Sequence, residues 1–117
     1  MIRFDDIKEI YLIAGATDLR KGIDGYAALI SSELHRSPTD NSLYIFCNGN
    51  RNKLKCLYYD GTGFWLLYKR MDTGHFKWIR REKEDSVSIT HQQLTWLLEG
   101  LKIEQKYAFN NSQKPYI

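Results

Sequence analysis

Apolar residues return along this chain with two different periods. Between residues 17 and 36, Leu19, Ile23, Tyr26, Ile30 and Leu34 recur at steps of three and four, which lays one apolar stripe along a helix. Thr17 or Asp18 is the natural N-cap, Ser37-Pro38 closes the segment, and SPTDNS (37–42) is a polar loop. From residue 43 the period changes to two. LYIFCN, KLKCLYY, FWLLYKR and HFKWIR read as four short strands separated by GNRN, DGTG and MDTG. Those separators are glycine, asparagine and aspartate turns.

Two shorter runs complete the pattern. IKEIYLI (7–13) is rich in β-branched and aromatic residues and predicts a short strand ending at Ala14-Gly15. REKEDS is a charged loop, after which VSI adds a fifth strand to the meander. THQQLTWLLEG predicts a second helix over about 90–99. There Thr90 and Gln93 match a capping box, Leu94, Leu97 and Leu98 form the buried stripe, and Gly100 is the stop. The expected fold is therefore α+β: an antiparallel β-meander of about four to five strands packed with two helices. Aromatics alternating with cations fit a sheet with one packed face and one wet face. Residues 1–101 read as a single domain, and 102–117 as a polar, loosely held C-terminal tail.

Composition narrows the class. A chain of 117 residues, 43% of them hydrophobic, builds one ordinary core without metal or disulfide staples. No apolar run is long enough to span a bilayer. The start, MIRFDDIKEI, carries acids where a secretory leader has cations and an apolar block, so a cytoplasmic location is expected. In that compartment Cys47 and Cys56 stay as thiols. They face one another only if a hairpin sets them in register, and they read as small buried hydrophobes. With no CxxC pair, and with His35, His75 and His91 scattered, no metal or other cofactor is expected.

The net charge of +3 is unevenly spread. Residues 1–40 hold five cations and seven acids. Residues 41–81 hold Arg51, Lys53, Lys55, Lys69, Arg70, Lys77, Arg80 and Arg81 against Asp60 and Asp72, a local net of +6. A polyanion would dock on that unit. The candidate nucleic-acid contacts are Arg51, Lys53 and Lys55 at the NGNRNKLK hairpin tip, with Lys69, Arg70 and Lys77 further along. To these are added Arg20 and Lys21, two cations in the first turn of the expected first helix. That placement opposes the helix dipole, so TDLRKG reads either as a phosphate cradle or as two solvated cations beside tight packing at Gly22 and Gly25. The strand lysines likewise serve a partner or guard a sheet edge. Tyr59 and Trp65 either stack on bases or fill the core.

Catalytic chemistry has little support. Divalent-metal phosphoryl chemistry needs converging carboxylates, but Asp18 reads as a cap, Asp60 sits in a turn, and the spacing of Asp24 from Asp18 does not set the two side by side. No nucleophile–base grouping or phosphate-binding GxxxxGK[ST] loop is present.

Taken in order, TDLRKGIDG (17–25), LKCLYYDGTGFWLLYKR (54–70), GHFKW (74–78) and LTWLLEGL (94–101) closely resemble the TnpB-type accessory protein encoded in the second reading frame of the insertion-sequence-66 group of bacterial mobile elements. The likeness runs over about residues 7–101. Its motif positions fall on Asp18, Arg20, Lys21, Gly22, Asp24 and Gly25, then on Asp60, Gly61, Gly63, Phe64, Trp65, Tyr68, Lys69 and Arg70. The chain departs from the pattern at a hairpin tip with fewer arginines (GNRN, 49–52), at Tyr59 and at Leu19. The resemblance implies a non-enzymatic protein that supports DNA transposition beside a separate, larger transposase. On this reading the expected partners are DNA of the element's ends, held by the basic sheet face and helix start, and the transposase subunit. The alternative is a module that docks on the transposase without touching DNA, with no membrane partner in either case.

Overall fold

The computed structural model describes residues 3–104. Five strands, β1 (Ile10–Ile13), β2 (Leu43–Cys47), β3 (Lys53–Tyr59), β4 (Phe64–Arg70) and β5 (Ser86–Ile89), form one sheet in the order β4-β3-β2-β1-β5. Two helices, α1 (Ile23–Ser32) and α2 (His91–Leu98), complete an α+β fold. The pairs β2–β3 and β3–β4 are antiparallel, as the meander reading requires, whereas β5 pairs antiparallel with β1 at the far edge instead of extending the meander. The exception is β1–β2, which is parallel, with Ile10 opposite Leu43 and Leu12 opposite Ile45. A parallel pair needs a long crossover, and α1 supplies it.

Each face of the sheet has its own core. Tyr26 and Ile30 of α1 pack on Ile13, Tyr44, Phe46 and Leu57, with Leu19, Ile23 and Leu34 partly buried against them. All five residues of the predicted stripe thus share one core. Leu94 and Leu97 of α2 pack on the other face, over Ile10, Leu12, Ile45, Leu54, Cys56 and Tyr58. Being covered on both sides, β2 is buried at every position and reads as a continuous apolar run rather than an alternation. The expectation of one wet face is corrected accordingly: water reaches the rim instead, where β4 is mostly exposed.

Two local expectations also change. The helix is not capped by Thr17 or Asp18: its N-cap is Gly22, which makes no side-chain cap bond. The Asp18 carboxylate instead accepts the backbone N–H of Arg20 at 2.9 Å, a local turn that competes with capping. And HFKWIR is not a strand. Its groups bond singly to the ends of other elements: Phe76 N–H to Arg51 O, Trp78 Nε1–H to Ile13 O, and Ile79 O from Gly15 N–H. The fifth strand is β5, as VSI predicted. At α2 the predicted capping box forms in both directions between Thr90 and Gln93. Of the expected tail, Ile103 packs partly buried on the α2-side core and its carbonyl accepts from Gln93; residues 105–117 lie outside the described residues.

Candidate anion-binding groove

Strand alternation sorts the basic residues. The β3–β4 register sets Lys53 opposite Arg70, Lys55 opposite Tyr68 and Leu57 opposite Leu66. Leu57 and Leu66 belong to the α1-side core, so Lys53, Lys55, Tyr68 and Arg70 lie on the α1 face, at the end of the sheet beyond that helix. Lys69 falls on the other face. The Lys69/Arg70 pair is split by the pleat.

The end of β1 meets this cluster. Thr17 N–H donates to Cys47 O at 2.8 Å, extending the parallel contact and carrying residues 17–20 alongside the β2–β3 turn. Between them opens a groove of about 630 Å³ whose walls include Asp18, Arg20, Asn48, Lys53, Lys55 and Tyr68. Tyr68 is 55% exposed, so its ring is available to a ligand. It is the wall residue that charge patterning does not reveal, although its place opposite Lys55 follows from hairpin register.

The walls are held in place from behind. The Tyr26 hydroxyl donates to Asp18 O at 3.0 Å, and its ring stacks on Phe46 with centroids 4.7 Å apart. Lys55 Nζ donates to Lys21 O at 3.1 Å and sits 5.8 Å above the Tyr26 ring. The Lys21 stem crosses Gly25, where an added Cβ would stand 3.0 Å from Lys21 Cβ; this is the close approach that the glycine permits. At the hairpin tip the Asn48 side chain accepts the N–H groups of Asn52 and Lys53. The tip is braced further by Phe76 N–H on Arg51 O and Met71 N–H on Asn52 O, while His75 Nδ1 lies 2.7 Å from Asn50 O. The GHFKW motif is therefore a buttress for the hairpin.

Charge in the groove is partly offset. Arg20 clasps Asp18 through Nε and Nη2, at 2.9 and 2.8 Å. This pairing holds the Asp18 carboxyl well below the usual carboxylate range, with the neighbouring Lys21 charge assisting. The Arg20 side chain is nevertheless 91% exposed, with guanidinium donors left for an anion.

The other candidates sit apart. Arg51 is exposed at the tip with φ 59, and Lys77 is exposed on the loop after β4; neither forms part of the groove wall. Lys69 Nζ donates to Leu98 O at 2.6 Å, at the C-terminal end of α2. Trp65 gives its indole N–H to Asp60 Oδ2, and Tyr59 packs on Phe64. Cys47 pairs with Leu54 and Cys56 with Ile45, so the thiols are not opposite each other. Both are buried and free, and burial pushes them up to about 11 and about 12. Among the described residues, no group of three or more His, Cys, Asp or Glu is placed to share a metal ion. Nor is any helix there long and apolar enough to cross a membrane.

These features define a class: a small α+β protein with a groove at the rim of its sheet that gathers Arg20, Lys53 and Lys55. Its family is also clear. Residues 8–108 match the family described as IS66 Orf2 like protein, and the chain belongs to it, which makes it an accessory protein associated with insertion-sequence transposition. Two uncharacterized proteins of Sinorhizobium fredii (strain NBRC 101917 / NGR234) are similar along most of their length. The first, y4hO, is 33% identical over 92 residues, 79% of each chain. The second, y4jC, is 29% identical over 84 residues, 72% of this chain and 71% of its own. No solved structure matches.

Proposed function

We propose that this protein supports transposition without catalysing it, by binding the phosphate backbone of the element's ends in the groove. The observation that carries this reading is the convergence of Arg20, Lys53 and Lys55 around the exposed Tyr68, with Arg70 next to Lys53 on the same face. Cations position a nucleic-acid backbone, and an aromatic face accepts an unpaired base at little sequence cost. The protein would act in the cytoplasm, beside the separate transposase.

The test is binding of the purified chain to a labelled duplex from the element's terminal repeat, against scrambled DNA, over a salt series. The three groove cations Arg20, Lys53 and Lys55, with the adjacent Arg70, give a log–log salt slope of about −4. The double variant Lys53→Gln/Arg70→Gln brings that slope to about −2. Absence of binding at low salt, or an unaltered slope in the variant, defeats the proposal.

One observation favours a second reading, docking on the transposase. On the α2 face, Trp65 and Leu67 are 39% and 43% exposed, beside an apolar hollow of about 370 Å³ lined by Lys69, Leu94 and Leu98. Co-purification with the transposase that survives nuclease and salt, together with no DNA binding, would select this reading.

A further inference from the structure

The free edge of β4 has a hydrogen-bonding phase, and the β3–β4 hairpin fixes it. Asp60 N–H donates to Gly63 O and Met71 N–H to Asn52 O, so the odd-numbered residues from Gly63 to Met71 bond inward to β3. Phe64, Leu66, Tyr68 and Arg70 consequently turn their N–H and C=O groups outward. Among the described residues no loop hydrogen bond reaches those four. β4 lies at the end of the sheet, so this row is an open template for another strand.

We infer that β4 pairs with β4 of a second copy of this chain, antiparallel about a two-fold axis through Leu67. That register is the one that uses all seven residues of β4. Leu66 exchanges bonds with Tyr68 of the partner subunit, and Phe64 with the partner's Arg70, each pair formed twice by symmetry. Leu67 meets the partner's Leu67 in a non-hydrogen-bonded pair, where side chains approach most closely.

Charge selects this register against its competitors. Lys69 stands opposite the partner's Trp65 and Arg70 opposite the partner's Phe64, so each cation faces an aromatic ring. A parallel in-register pair would set Lys69 beside Lys69 and Arg70 beside Arg70. An antiparallel pair centred on Lys69 would oppose two ammonium groups, which is destabilising. The pairing also covers Trp65 and Leu67, the exposed apolar residues of the α2 face. The resulting interface is isologous and closed, the commonest form of homodimer.

The two-fold axis stands perpendicular to the sheet, which keeps both α1 faces on one side. Both basic grooves then open onto a common surface and can engage one nucleic acid together. This consequence rests on the proposed nucleic-acid reading; the dimer does not.

Light scattering on the full chain tests the pairing, with twice the 13.8 kDa chain mass as the expected result. Because Leu67 opposes itself, Leu67→Lys and Leu67→Glu should each be monomeric, and an equal mixture of the two should recover the dimer. Leu67→Cys should form an intermolecular disulfide under mild oxidation. The Cα separation of about 4.5 Å in such a pair falls within the range a disulfide spans. Val87→Cys, on the opposite edge strand, is the comparison. A monomeric wild type, a mixture that stays monomeric, or Leu67→Cys cross-linking no faster than Val87→Cys would each overturn the inference. A monomer that binds DNA refutes the dimer and leaves the groove reading intact; a dimer that does not bind DNA does the reverse.

Discussion

Removing one oxygen from Tyr26 should cost a small and calculable amount of stability. Tyr26 is fully buried, and its hydroxyl spends its proton on Asp18 O. Tyr26→Phe keeps the ring and its stacking on Phe46 but loses that bond. A net hydrogen bond is worth about 1 kcal/mol, and here the lower half of the range applies because the Asp18 carbonyl, in an exposed turn, regains water. For a domain of this size the unfolding entropy is about 0.25 kcal/mol/K, so the melting temperature should fall by about 2 to 4 °C. Tyr26→Leu also loses the ring stacking and leaves a void, for a total of about 3 kcal/mol. Thermal and urea unfolding of both variants, followed by circular dichroism, give the comparison. The pH profile adds a sign. Burial, with the Asp18 charge assisting, raises the phenol to about 12, so its contribution is intact below about pH 10, its unfolded value, and is lost as pH rises towards 12. Equal losses in the two variants, or no loss in Tyr26→Phe, would refute this account of how the groove wall is anchored.

Four further outcomes follow from individual contacts. Thr90→Ala removes the capping box of α2 and should cost about 1 kcal/mol in urea unfolding. Hydrogen bonds from Thr62 N–H, the Trp65 indole, the Thr62 hydroxyl and Gly63 N–H hold the Asp60 carboxyl well below the usual carboxylate range. Its stabilising effect should therefore persist above about pH 4 and fade as pH drops further, and Asp60→Asn should abolish that acid dependence in a stability–pH series. Cys47 and Cys56, raised to about 11 and about 12 by burial, should resist a thiol reagent at neutral pH until the chain unfolds, and the fold should weaken as pH climbs past about 9. Lys69 and Arg70 should separate cleanly: Lys69→Gln costs about 0.5 kcal/mol of stability at the α2 terminus, whereas Arg70→Gln lowers the salt slope of DNA binding by about 0.9.

Much of this architecture was legible because local pattern and tertiary packing agree. The stripe from Leu19 to Leu34 belongs to one core even though its ends lie outside the helix, and the alternation of β3 and β4 places Lys53, Lys55, Tyr68 and Arg70 on one face. What escaped the pattern depended on partners distant in sequence. Nothing within IYLI states that it lies parallel to LYIFC with a helix between them; the crossover decides that. HFKWIR alternates like a strand, yet its backbone bonds are taken up one at a time by the ends of β1 and the hairpin tip. Asp18 has the chemistry of a helix cap, but the arginine two residues on offered it a nearer partner. Arg20 joins Lys53 and Lys55 only because the parallel pairing carries the end of β1 to the β2–β3 turn, so the groove itself had no local signature.

The distribution of charge bears on why a protein of this kind would work in company. The middle of the chain carries eight cations against two acids, yet folding disperses them. Lys69 is tied to the end of α2, Arg51 stands at the hairpin tip, Lys77 lies on a loop, and Arg81 is 3.8 Å from Asp85. Within the groove Arg20 is already partnered by Asp18. The electrostatic footprint is then a few cations rather than eight. Since each neutralised phosphate contributes separately to affinity, one groove would, on the proposed reading, hold a backbone weakly at physiological salt. Two grooves on one surface, or a transposase bound to the same DNA, convert the second contact into an intramolecular event and raise affinity by orders of magnitude without new contacts. On the proposed nucleic-acid reading, a weak, repeated grip that becomes firm only in an assembly would suit an accessory factor, and the split basic block of this chain fits that role.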